Sequence, residues 1–197
     1  MLVFSNARLV FLSVPKTGTT AYETALAPLA SMVISDPPEL KHAPVFRYNR
    51  FFRPALEKFI GPDLDVIAVM REPISWLGSW YRYRQRPFMQ GRPNATHDLS
   101  FDAFVEGYCQ STRPGFANVG SQAKFLEPSK NGTCVTRLFR YEDPPSLIHF
   151  LQERLDTTFE LKRENVSPPM ALSLSAGTEA RLRTRHAEEF ALYASIP

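Results

Sequence analysis

The chain has 197 residues, 44% of them apolar and 22% charged, which suits one globular domain over residues 1–197 and excludes a disordered or fibrous protein. A formal net charge of +3 and a pI of about 8.9 are compatible with anionic ligands, but too mild to mark a nucleic-acid binder. The two cysteines, Cys109 and Cys134, have no CxxC spacing and read as reduced thiols rather than as a disulfide framework.

The N-terminal stretch LVFSNARLVFLSV is apolar but interrupted by Asn6 and Arg8. It is neither a signal-peptide core nor a span of about 20 apolar residues, so a soluble, cytoplasmic protein without a transmembrane segment is expected. Residues 8–14, RLVFLSV, predict a buried strand that ends at PKTGTT, and AYETALAPLA then continues as a helix. SMVIS is a possible short strand, and residues 49–60 predict a helix stopped by Gly61-Pro62. DVIAVM, residues 65–70, is the second clear strand, and Pro73 opens a helix running to about Arg84. Residues 85–98 read as a mobile loop, after which Ser100 caps a helix over FDAFVEGYCQ. One helical turn is expected over residues 122–126, and a third strand in TCVTRLFRY. A helix through Leu155 and a single last helix over residues 177–194 complete the chain. Strands alternating with helices predict an α/β fold with a parallel sheet and helices on both faces.

PKTGTT falls where a strand passes through a tight loop into a helix, and a helix N-terminus presents unpaired N–H groups and partial positive charge to an anion. Gly18 allows close backbone approach, Thr17, Thr19 and Thr20 add hydroxyls, and Lys16 adds a full charge. The ATP-binding pattern GxxxxGK[ST] is absent, because Lys16 precedes the glycine. The run FLSVPKTGTT resembles the 5′-phosphosulfate loop of the PAPS-dependent sulfotransferases, especially the small proteins related to carbohydrate sulfotransferases (PAPS is 3′-phosphoadenosine 5′-phosphosulfate). That resemblance implies a three-layer, P-loop-like fold with a central, mostly parallel sheet flanked by helices. It also implies that Pro15 to Thr20 hold the 5′-phosphate, with Lys16 at the phosphosulfate bridge.

The family's second motif, an arginine at a strand end with a serine eight residues later, is matched by Arg71 and Ser79 in VIAVMREPISWLGSWYRY. By the resemblance they bind the 3′-phosphate, and an arginine fork suits phosphate oxygens in any case. Both motifs follow strands, at the carboxyl ends where open α/β sheets bind ligands. Arg82, Arg84 and Arg86 continue a basic run that reads first as a solvated helix face.

Attack by a hydroxyl needs a base. His42, in ELKHAPVF, looks like the counterpart of a Lys-His-Ala element in the family, and Glu23, early in the helix after PKTGTT, is the competing base. Lys41 is a candidate for positioning the acceptor. His97, His149 and His186 read as exposed or packing residues. FRYEDPPSLIHFL resembles the family's RYEDL-type junction, with Arg140 to Asp143 structural, and RENVSP resembles a late element in which Asn165 or Ser167 approaches the donor. The glycine-rich KGxxGxW element of the small-molecule sulfotransferases is missing, which weakens a phenol or steroid acceptor.

The resemblance thus implies an enzyme that moves a sulfuryl group from PAPS to a hydroxyl of a carbohydrate or glycolipid, leaving PAP. No grouping of His, Cys and carboxylates has metal-ligand spacing, so no metal is expected. The rival readings are a P-loop kinase-like phosphotransferase and a catalytically inactive nucleotide-binding module.

Overall fold

The computed structural model describes residues 1–161 and 170–197, in two compact units. One unit holds residues 1–71, 122–161 and 196–197, and the other holds residues 72–121 and 170–195. Asn165 and Ser167 lie outside the described residues.

The first unit is built on a five-stranded sheet, β1 (Leu2–Phe4), β2 (Leu9–Leu12), β3 (Met32–Val33), β4 (Asp65–Met70) and β5 (Arg137–Arg140), in the order β3-β1-β2-β4-β5. β2 pairs with β4, and β4 with β5, in parallel; β1 pairs with β2 and with β3 antiparallel. The fold is therefore α/β with a mixed sheet, and the expectation of a mostly parallel sheet is corrected. The reason lies at Asn6 and Arg8. They do not interrupt one apolar run but form the turn of a hairpin, closed by the Arg8 N–H donating to Ser5 O at 3.1 Å. So short a connection can only join antiparallel strands.

In chain order the helices are α1 (Thr19–Leu26), α2 (Pro38–Lys41), α3 (Val45–Arg47) and α4 (Arg53–Ile60) in the first unit. The second unit holds α5 (Pro73–Arg84) and α6 (Phe101–Tyr108). The first unit resumes with α7 (Gln122–Leu126) and α8 (Pro144–Leu155), and the second ends with α9 (Ala176–Arg185) and α10 (Ala187–Ala194). A π-helical turn, Tyr48–Phe52, joins α3 to α4.

Pleating sends Leu2, Phe4, Leu9, Phe11, Ile67, Val69 and Phe139 to one face of the sheet, where they pack with Tyr22 and Leu26 of α1 and Leu147 and Leu151 of α8. The alternate residues Val10, Leu12, Val66, Ala68 and Met70 are buried too. β2 and β4 consequently read as continuous apolar runs, as central strands covered on both faces must.

In the second unit, Trp76, Leu77 and Tyr81 of α5 pack with Phe101, Phe104, Val105 and Tyr108 of α6 and Leu182 of α9. The α6 residues recur at the spacing of one helix face, and the Ser100 hydroxyl accepts the Ala103 N–H at its start. Three expectations change here. The last helix is two helices that meet at His186, whose backbone (φ −129°, ψ 39°) is not helical. The segment read as a mobile loop is anchored by Thr96, fully buried, whose hydroxyl donates to Tyr81 O at 2.9 Å. Arg84 is not on a solvated face: it is buried, and its guanidinium donates to the carbonyls of Gly115, Phe116 and Asn118. Among the described residues, no helix is long and apolar enough to cross a membrane.

Candidate functional site

β2 delivers the chain into the loop Ser13 to Gly18 at its carboxyl end. Lys16 (φ 66°) and Gly18 (φ 72°) both take left-handed backbone, the alternation that turns successive N–H groups toward one side. Gly18 is the N-cap of α1 and is exposed. It brings no capping side chain to the first turn, and that turn contains no acidic residue. The Ala21 N–H turns back to the Gly18 carbonyl at 3.1 Å, and the helix dipole favours an anion at the N–H groups ahead of it. Thr19 is buried as the first residue of α1, while Pro15, Lys16 and Thr20 are half-buried. The Thr17 hydroxyl does not point its hydrogen at a ligand: Thr17 is buried and donates to Val14 O at 2.8 Å, which pins the loop from within.

Arg71 follows β4 directly. Its guanidinium donates from Nη1 to the carbonyl of Lys16 at 3.4 Å, joining positions 55 apart in sequence. Its backbone is held by Gln122, which is fully buried. Gln122 Oε1 accepts the Arg71 N–H at 2.9 Å, and Gln122 Nε2 donates to Arg71 O at 2.8 Å. Tyr141 follows β5 as Arg71 follows β4, in register, since Met70 lies opposite Arg140 and the Tyr141 N–H donates to Met70 O. The two side chains meet, the Arg71 Cζ standing 4.2 Å from the Tyr141 ring centre. Ser79, the other half of the arginine motif, is buried on α5 and belongs to the second unit.

His42 caps the C-terminus of α2, and its Nδ1 lies 2.7 Å from the carbonyl of Ser13, the residue that follows β2. A carbonyl only accepts, so Nδ1 carries the proton and the lone pair of the neutral ring sits on Nε2. Burial holds the imidazole below its ordinary pKa; the Ser13 carbonyl and Glu23 oppose that shift, while Lys41 and the Met1 amino group add to it. The adjacent Lys41 pairs with Glu23 of α1, Nζ to Oε2 at 2.9 Å, and both side chains are mostly buried. The two candidate bases therefore differ. His42 keeps a free lone pair, and Glu23 is engaged by a cation.

The sequence motifs at PKTGTT, Arg71 and His42 thus converge on the carboxyl ends of β2 and β4. Tyr141, Gln122 and Ser13 were not legible as members. Tyr141 carried one usable sign, its position just past a strand, like Arg71. Gln122 carried none, because only folding brings it to the Arg71 backbone. Among the described residues, no group of three or more His, Cys, Asp or Glu side chains is placed to hold a metal ion.

Comparison of the chain with protein-family models and with curated proteins gives no match.

Proposed function

We propose that the chain is a sulfotransferase that moves the sulfuryl group of PAPS to a hydroxyl of a sugar or glycolipid. The observation that carries this reading is the contact between the Arg71 guanidinium and the Lys16 carbonyl. It unites an anion cradle at a helix N-terminus with a phosphate-suited arginine, the two features that a donor with separate 5′ and 3′ phosphates requires. In this reading the N–H groups of the PKTGTT loop hold the 5′-phosphosulfate and Arg71 meets the 3′-phosphate. The acceptor oxygen attacks sulfur in line as His42 or Glu23 removes its proton. The bond from sulfur to the bridging oxygen breaks, and Lys16 meets the negative charge that grows on the departing PAP. Positioning and charge stabilisation supply the catalysis, as in phosphoryl transfer.

Isothermal titration with PAP, with ATP and AMP as comparisons and Arg71→Ala as control, tests the reading. PAP binding that is tighter than ATP binding and depends on Arg71 is expected. A folded protein that ignores PAP, or binds ATP equally well, overturns it.

A further inference from the structure

Residues 45–60 form one continuous helical segment, α3, the π-helical turn and α4, which buries Val45, Tyr48 and Leu56 on its inner side. The outer side of such a helix is normally polar. Here Phe46, Phe51 and Phe59 are 56%, 59% and 81% exposed. The exposed positions fall in two rows of four-residue spacing, Phe46, Arg50, Pro54 and Lys58 in one and Phe51, Ala55 and Phe59 in the other. A spacing of four drifts around an α-helix of 3.6 residues per turn. The wider π turn takes up part of that drift and keeps the two rows side by side.

Cations are interleaved with these rings. Arg47 Cζ lies 5.6 Å from the Phe46 ring centre, Arg50 Cζ 5.2 Å from that of Phe51, and Lys58 Nζ 5.7 Å from that of Phe59. Arg47 also donates to the Glu39 carbonyl at 2.6 Å. Among the described residues, neither Arg50 nor Lys58 is in an ion pair. The one carboxylate of the segment, Glu57, is taken by Arg53 at 2.6 Å, and the next acids along the chain, Glu39 and Asp63, lie beyond its ends. Exposed apolar groups gathered on one face, rather than scattered, mark a contact surface, and the interleaved charge selects what it contacts. The centre of a protein–protein interface is depleted of charge, and a two-fold contact between copies of this face would set like charges against each other. A bilayer with anionic headgroups suits both components: the rings enter the acyl boundary while arginine and lysine stay among the phosphates. We propose that the outer face of residues 45–60 docks the protein reversibly on an anionic lipid surface. This does not depend on the sulfotransferase reading.

The test is flotation of the full chain with vesicles of phosphatidylcholine containing about 30% phosphatidylglycerol, beside vesicles of phosphatidylcholine alone. Wild type should float with the anionic vesicles, at least about tenfold more than with the neutral ones, and salt at about 0.5 M should weaken the binding severalfold. Phe51→Ser with Phe59→Ser should lower binding about tenfold or more at an unchanged melting temperature, since both side chains are exposed. Arg50→Glu with Lys58→Glu should lower it as much, while the same charge change at Arg92 and Arg185, exposed elsewhere in the sequence, should leave it within about twofold. Phe59→Trp gives a readout that does not rely on loss: its emission should shift to the blue on anionic vesicles and be quenched by lipids brominated in the acyl chain. A folded wild type that does not float with anionic vesicles overturns the proposal. So does binding that survives the two serine substitutions, or a Phe59→Trp emission that brominated lipid leaves unquenched. Sedimentation that shows a dimer in wild type, abolished by Phe51→Ser with Phe59→Ser, without flotation, assigns the face to a second copy instead and overturns it as well.

Discussion

Tyr141 and Arg71 occupy the same step beyond neighbouring parallel strands, and the guanidinium carbon lies 4.2 Å from the tyrosine ring centre. The ring has a second neighbour in the same unit: a Cβ added at Gly18 would come within 3.1 Å of Tyr141 Cε2. One aromatic side chain thus backs both the loop after β2 and the arginine after β4. Tyr141 is exposed, and cation–π contacts at exposed sites are worth about 0.5–1 kcal/mol.

Gly18→Ala is expected to lower stability and anion binding together. Left-handed backbone at φ 72° costs a non-glycine residue about 1–2 kcal/mol, and the new methyl group presses on Tyr141. Urea denaturation should show the loss. Adding Tyr141→Ala should relieve the crowding while the backbone cost remains, so the double variant stays less stable than Tyr141→Ala alone.

Gln122→Leu should be far more damaging than an ordinary substitution in a one-turn helix. It removes the two hydrogen bonds that Gln122 makes to the Arg71 backbone, at on the order of 1 kcal/mol each, and leaves an apolar side chain facing them. Denaturant midpoints measure the loss, and PAP titration should show weaker binding because Arg71 loses its support. Wild-type stability in Gln122→Leu would refute the clamp.

Arg84→Met should destabilise by more than about 2 kcal/mol, because three carbonyls in the Gly115 to Asn118 turn lose a charged donor at once. Arg82→Met, at a half-buried neighbour on the same helix, should cost much less. Comparable losses for the two would mean that the buried fork contributes little.

Acidification should destabilise the protein through His42 and His186. Burial is the largest cause holding both below the ordinary imidazole value of 6.5; for His186 the Arg113 charge acts in the same direction while Glu188 opposes it. The unfolded chain then binds protons first as the pH falls below 6.5, so stability is full above that value. It declines until the lower native values are passed. Urea midpoints between pH 7.5 and pH 5 should fall less steeply in His42→Asn and His186→Asn than in wild type. An unchanged slope in both would show that neither ring is buried as described.

Much of this protein was legible in its sequence because the relevant physics is local. The apolar runs LVFL and DVIAVM, Pro73 at a helix start, Ser100 as a cap and the single turn at residues 122–126 each depend on neighbours a few positions away. The same holds for a lysine and a glycine placed between a strand and a helix. Hydrogen bonding over one turn and side-chain alternation over one strand are enough to write them.

Tertiary structure decided what no local pattern carries. The direction of β1, the burial of Arg84, the clamp of Gln122 on Arg71, the place of Tyr141 and the engagement of Glu23 by Lys41 all join distant or separately folded segments. A carboxylate early in a helix reads as a free base until folding sets a cation beside it. A histidine shows its basic nitrogen only once a carbonyl has claimed the other. These outcomes follow from which groups share a desolvated space, and that is fixed by packing rather than by the order of residues along the chain.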